Sequence, residues 1–424
     1  MDDDNNIDIE DVQQAQAQAA QDEQQQQQQA VVLLKKMILV LEQKETFPLQ
    51  TRNKTDELVE NFIENLEDDV HEMLCFNSTD SDSDNYRGLD SDRDTDAEVE
   101  AIVRVFPEVL TRRKEDDEDE YGPYPIQLLA FPRYEDSDGK YQCNVKTVLF
   151  IPVVARIAIE LGLFEEEERG GLLFDDDNGG NVLHQLMFTD QTIEGDNREQ
   201  QHEAVDDKFL QVLIQLRKLG LLKKEDIERY SLLHYLCGEE YFAEKRFRFM
   251  VEWDPSALTQ TNEYGQLPIR CAFSSIQGFR SVFEAGIHYY PKKKGISLLF
   301  RKSNKYSIPF VKACMKYGKE QVMKTIKDTF VRCYSSSDDT PPLNVVDALM
   351  TAAIDKDIHL DGVYFLLRRQ PDILQKLLSS ASINTAIDPN PMVVFNSNNN
   401  GISPKKKRKR KDTNIGDDDD GGTF

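Results

Sequence analysis

The stretch Asn262-Glu-Tyr-Gly265-Gln-Leu-Pro268-Ile269-Arg-Cys-Ala272 joins a tight turn to the start of a helix. Gly265 supplies the positive φ such a turn needs, and the Asn262 side chain can close it. Pro268 suits a first helical position, where its missing N–H would have no partner and its φ is already helical. Ile269, Ala272 and Phe273 then face inward, with Ala272 small enough for helices to approach closely. The wording recurs. Asp119-Glu-Tyr-Gly122-Pro-Tyr-Pro125-Ile126-Gln-Leu-Leu129 matches it position for position, and Asp176-Asp-Asn-Gly179-Gly-Asn-Val182-Leu183-His184-Gln-Leu186 keeps the acid, the Gly and the apolar start. Weaker copies are Leu232-Leu233-His234-Tyr-Leu236, Asn304-Lys-Tyr-Ser-Ile-Pro309-Phe310-Val-Lys-Ala313 and Ala348-Leu349-Met-Thr-Ala352.

Anchored on the residue after the Pro position, the copies fall at 126, 183, 233, 269, 310 and 349, with intervals of 57, 50, 36, 41 and 39 residues. The two long intervals hold charged insertions, Glu165–Glu168 and Gln191–Asp207. A second mark, Pro-x-x-Leu after an apolar helical stretch, stands at Pro107–Leu110, Pro255–Leu258 and Pro371–Leu374. Second helices are expected at Phe209–Leu219, Phe242–Glu252, Gly278–Ala285, Gln321–Cys333 and Val363–Arg369. One helix pair cannot bury its own apolar face, but stacked pairs share a continuous core. The expected fold class is therefore all-α, a helical-repeat solenoid.

At these residues the chain resembles the ankyrin repeat, usually worded Asp-x-x-Gly-x-Thr-Pro-Leu-His-x-Ala. Gly265, Pro268, Ile269 and Ala272 match by identity or type, as do Gly122, Pro125 and Ile126, and Gly179, Leu183 and His184. The Thr is absent throughout, His survives only at His184 and His234, and two intervals far exceed the family's usual ~33 residues. Arg169-Gly-Gly-Leu-Leu173 also looks like the expanded, diverged ankyrin-like families of diatoms. The resemblance spans roughly 98–380 and implies degenerate ankyrin-like helix pairs. A HEAT or armadillo array is the competing helical-pair fold.

Outside the repeats the composition changes. The 424 residues carry a formal charge of −26 and are 39% hydrophobic, low for a wholly packed chain. Residues 1–30 hold eight acids, no Lys or Arg, and the Gln24–Gln29 tract, which predicts a disordered tail. Residues 31–76 show helical apolar spacing and read as a helical segment. Residues 77–97, rich in Ser and Asp, read as a solvated linker that would also suit acid-directed kinases. Residues 381–424 read as a second disordered tail, basic and then acidic. Six dispersed cysteines without CxxC spacing give neither a zinc cluster nor a disulfide framework. The N-terminus lacks the basic start and apolar core of a signal peptide, and no apolar run is long and uncharged enough for a bilayer span. A reducing compartment and no membrane association are expected.

Chemistry is sparse in this sequence. In the repeat, a His in the first turn of the first helix bonds neighbouring backbone, so His184 and His234 are expected to be structural. His71, His202, His288 and His359 lack a metal-ligand spacing. Gly-x-Ser-x-Gly, P-loop and dinucleotide fingerprints are missing. No catalytic residue, metal or cofactor is predicted, and the chain is not expected to be an enzyme. Charge is more telling: Tyr290–Arg332 holds twelve cations against two acids. Lys292, Lys293, Lys294, Arg301, Lys302, Lys305, Lys312 and Lys316 form a candidate partner-binding patch for an acidic protein, the chain's own acidic tails or nucleic-acid phosphates, unless it is a plain solvated face. Pro404 precedes seven cations, Lys405, Lys406, Lys407, Arg408, Lys409, Arg410 and Lys411, a run resembling a nuclear-localisation signal read by an importin-α-type receptor. A plain electrostatic tail is the simpler reading of that run. The expected function is a non-catalytic protein–protein interaction scaffold in the nucleus or nucleocytoplasm. The alternative is a nucleic-acid-associated regulator binding phosphate through the 290–332 patch and the basic C-terminal tail.

Overall fold

The computed structural model describes residues 32–76, 86–114, 122–130, 142–175, 180–290, 294–301, 308–335 and Gln375. The chain divides into two units, 1–369 and 370–424. In the second, only Gln375, which is helical, is described. The copy at Ala348, the turn residues 119–121, 176–179 and 304–307 of three other copies, the third Pro-x-x-Leu mark, the helix expected at Val363–Arg369 and the run Lys405–Lys411 fall outside the described residues.

The first unit is all-α. Its helices are α1 (32–43), α2 (Leu49–Cys75), α3 (Asp96–Val105), α4 (Pro125–Leu128), α5 (Ile151–Glu160), α6 (Val182–Gln185), α7 (Arg198–Lys218) and α8 (Lys224–Arg229). They continue with α9 (Leu232–Gly238), α10 (Glu244–Trp253), α11 (Pro268–Cys271), α12 (Ile276–Tyr289), α13 (Lys294–Phe300), α14 (Pro309–Tyr317) and α15 (Lys319–Ser335). Short and long helices are interspersed, and packing runs within and between the two sets, with α12 on α13 and α14 on α15 among the closest pairs. Among the short ones, α6 contacts α9, α9 contacts α11 and α11 contacts α14. Among the long ones α3, α5, α7, α10, α12 and α15 touch in series. A single apolar core runs through them from Val70 to Ile326, with Val103, Ile157, Phe209, Met250, Phe283 and Val322 wholly buried on the long helices.

Local sequence explains where the helices start and stop. Pro125, Pro268 and Pro309 each open a short helix at its first position, where a missing N–H costs nothing. Thr95 and Glu98 form a reciprocal capping box at the start of α3, the Glu98 carboxylate accepting from Thr95 N–H at 2.8 Å. Both described Pro-x-x-Leu marks form 3-10 turns, Pro107–Leu110 and Pro255–Thr259, with Leu110 and Leu258 buried. The residue before each proline leaves the helical region, at φ −124°, ψ 66° for Phe106 and φ −133°, ψ 85° for Asp254, because the ring excludes it. Within the stretch expected to be a linker, Leu89 is buried and Arg93 pairs with Asp94 at 2.8 Å.

One expectation differs from the structure. Residues 198–207, read as the end of a charged insertion, form the first turns of α7 and turn His202, Val205 and Asp206 inward. Two of those three are polar, so apolar periodicity could not reveal the face. Asp206 reaches across to α10, accepting from Lys245 N–H at 2.9 Å and from Arg246 Nε at 2.8 Å. Arg246, 0% exposed, also donates through Nη1 to the carbonyls of Leu186 and Phe188 at 2.6 and 2.9 Å. This buried charge pair caps α10 and ties it to α7 and to the turn after α6.

Candidate binding cleft

The third residue of the short helices carries a recurring contact. Gln127, His184 and His234 all hold that position, and each reaches a backbone carbonyl far along the chain. Gln127 Nε2 donates to Phe174 O at 3.3 Å, His184 Nε2 to Tyr230 O at 2.9 Å and His234 Nε2 to Gln266 O at 2.9 Å. At the first two sites the same side chain also reaches back to its helix N-cap. Tyr124 N–H donates to Gln127 Oε1 at 2.8 Å and Asn181 N–H to His184 Nδ1 at 3.2 Å. With Nδ1 accepting and Nε2–H donating, His184 is a neutral, fully engaged imidazole. His71, near the end of α2, makes the corresponding long reach to Arg112 O at 3.0 Å. His184 and His234 thus bond distant backbone, and Gln127 and His71 make the same kind of contact. A Gln matching the His position was the signal for the first. His71 had none, since it lies in a long helix without the turn motif.

Burial lowers the affinity of His234, His71 and His202 for a proton relative to ordinary histidine. Unfolded, these side chains protonate near pH 6.5, whereas the folded protein resists taking up the proton. Stability is therefore complete above about pH 6.5 and declines as the pH falls below it. Glu239, whose carboxyl burial pushes upward, works in the opposite sense. We expect the urea midpoint to fall between pH 7 and 5.5, and His234→Gln to flatten that slope. An unchanged slope in the variant would refute the assignment.

Above the rungs the turns leave a cleft of about 1070 Å³, reaching from His184 through α9 and α11 to Lys312. One wall is the Asn262–Gly265 turn. Asn262 Oδ1 accepts from Tyr264 N–H at 3.1 Å and Gln266 N–H at 2.9 Å, and Gly265 adopts φ +72°, the closure expected from the sequence. This turn holds Tyr264 outward at 58% exposure, while Tyr235 on α9 is 42% exposed, its ring 4.7 Å from that of His184. The floor continues through Arg270, whose guanidinium lies 5.9 Å from the Phe273 ring, and Lys312, whose ammonium lies 5.7 Å from that ring. Glu228, Glu239 and Glu263 add carboxylates to a lining that also holds Arg229, Arg270 and Lys312. Glu239 accepts from Thr189 N–H at 3.2 Å and Oγ1 at 3.1 Å. Exposed tyrosines among charges of both signs make a surface suited to recognition.

Of the basic patch, the structure brings Lys312 to the cleft. Arg301 instead donates to Thr259 O at 3.0 Å, and exposed Lys316 stands 5.9 Å from the Tyr317 ring. Lys294 opens α13, and Lys292, Lys293, Lys302 and Lys305 lie outside the described residues. Gly122 packs so closely that a Cβ would stand 1.8 Å from Lys114 O. All six thiols are free and pushed upward by burial, Cys75 to about 12 and Cys271 and Cys333 to about 11, so they stay protonated at neutral pH. Among the described residues no group of three His, Cys, Asp or Glu side chains could hold a metal, and no helix is long and apolar enough to cross a membrane.

These features define the class: an all-α domain of many short packed helices with a tyrosine-lined cleft. No family model, curated protein or solved structure matches the chain.

Proposed function

We propose that this chain is a non-catalytic protein–protein interaction scaffold on an ankyrin-like repeat array, and that the cleft holds a segment of a partner protein. The observation that carries the reading is the cleft itself, in which Tyr235, Tyr264, Arg270 and Lys312 from successive turns and helices face one space. Support for the array comes from the serial packing of like helices and the rungs at Gln127, His184 and His234. Shape and charge complementarity select the partner without a chemical step, and Arg270 with Lys312 favours acidic residues in its segment. The Lys405–Lys411 run would carry the scaffold into the nucleus through an importin-α-type receptor.

Proximity labelling of the full chain tests both parts. Tyr235→Ala with Tyr264→Ala should remove a defined set of labelled proteins while the circular dichroism spectrum stays unchanged. Neutralising Lys405–Lys411 should move the label out of the nucleus. Identical labelling by all three chains would sink the proposal. The second reading, nucleic-acid binding, draws on the exposed Lys316, Lys319, Lys324 and Lys327 of α14 and α15. It requires DNA or RNA retention that weakens steeply with salt, and no retention at low salt removes it.

A further inference from the structure

Every residue of α1, from 32 to 43, is exposed. Eight of these are large and apolar, from Val32 at 54% to Leu41 at 47%, and α2 adds Leu49, Leu58, Phe62 and Ile63 at 46–69%. Twelve of the twenty exposed large apolar side chains among the described residues thus fall within 32–63. The remaining exposed apolar side chains are scattered singly or in pairs, as on any surface. A helix apolar around its whole circumference belongs in a core, and α1 is one, with Lys35, Lys36, Glu42 and Gln43 its only polar side chains.

We infer that this surface is covered by a second copy of the chain, in a two-fold contact where α1 of each copy lies on the exposed first half of α2 of the other. Three observations select that occupant. The first is size, since residues 32–63 supply a contact comparable with the ~20–30 residues per side of a stable interface. The second is self-complementarity of charge. Exposed Lys35 and Lys36 flank the apolar surface of α1, and exposed Glu57, Glu60 and Glu64 flank Leu58, Phe62 and Ile63 on α2. A two-fold contact sets each group opposite its counterpart twice. The third is the sign of the total charge, which disfavours a lipid surface. Residues 32–69 hold five cations against nine acids, and residues 1–30 add eight acids, whereas helices that lie on anionic membranes carry a basic face.

Sedimentation equilibrium of the full chain, from low to high micromolar concentration, tests the inference. The expected mass is that of two chains, falling to one on dilution. Leu34→Glu with Ile38→Glu, and separately Phe62→Glu, should each weaken the dimer at least about tenfold, equivalent to ~1.4 kcal/mol. At concentrations where every version is a single chain their unfolding midpoints should match, because these side chains are exposed in the single chain; where the dimer is populated, the unsubstituted chain should unfold at the higher midpoint. A single-chain mass throughout overturns the inference, as does a dimer that survives both variants. So does a single chain that floats with phosphatidylcholine–phosphatidylserine vesicles.

Discussion

Arg246→Met is expected to destabilise the protein by about 3–5 kcal/mol, the cost of stranding one member of a buried charge pair. Arg246 and Asp206 are both nearly inaccessible, with side chains 1% and 4% exposed. Removing the guanidinium takes the cation from the Asp206 carboxylate and the Nη1 hydrogen bonds from the Leu186 and Phe188 carbonyls. The backbone N–H of Lys245 still donates to Asp206, so α10 keeps its cap while the site keeps an uncompensated charge. That separation is testable with a second substitution. Asp206→Asn retains an acceptor for the cap and removes the charge, so Arg246→Met with Asp206→Asn should recover part of the loss. Urea titration of the single and double variants gives the coupling directly. A loss below about 1 kcal/mol for Arg246→Met would show that the pair is solvated in solution.

Gly170→Ala should cost about 2–5 kcal/mol, combining ~1–2 for left-handed backbone at a residue with a Cβ and ~1–3 for overpacking. Arg169, Gly170 and Gly171 adopt φ of 48°, 70° and 88°, so three successive residues are left-handed. A Cβ on Gly170 would stand 2.4 Å from the Ala155 carbonyl oxygen. The strain at Arg169 is offset by its fork on Asp226, with Nη2 3.0 Å from Oδ1 and Nη1 bonded to Oδ2 and to Leu221 O. Gly162→Ala is the control, since Gly162 has φ +66° and nothing within 4 Å of its Cβ position. It should show the handedness cost alone, roughly 1–2 kcal/mol. Equal losses at the two positions would remove the contact with Ala155 from the account.

Legibility in the sequence followed the kind of constraint involved. Gly265, Pro125, Pro268 and Pro309 announce their roles because backbone geometry restricts the residue type. At His184 and His234 the repeat wording marks the position, and each ring lies on a distant backbone carbonyl. Gln127 performs the same task with a different side chain, so a reading keyed to imidazole passed over it. Asp206 and Arg246 were not legible as a pair: each shares a helix face with buried apolar residues, but they satisfy each other forty residues apart and nothing local names the partner. Arg169-Gly-Gly reads in the sequence only as a family likeness, whereas its physical content is the left-handed turn and the fork on Asp226. The cleft could not be read at all, because it lies between turns and belongs to no segment.

The rungs also bear on how such a chain can change length. Each leaves the start of one short helix and lands beyond the intervening chain, 47 residues on for Gln127, 46 for His184 and 32 for His234. The bond is nearly the same in all three, although the enclosed segments differ by more than a dozen residues. Closing a longer loop costs little, about 0.6 kcal/mol per doubling. A gain or loss of residues between two rungs would therefore add little to the cost of closing the segment they enclose.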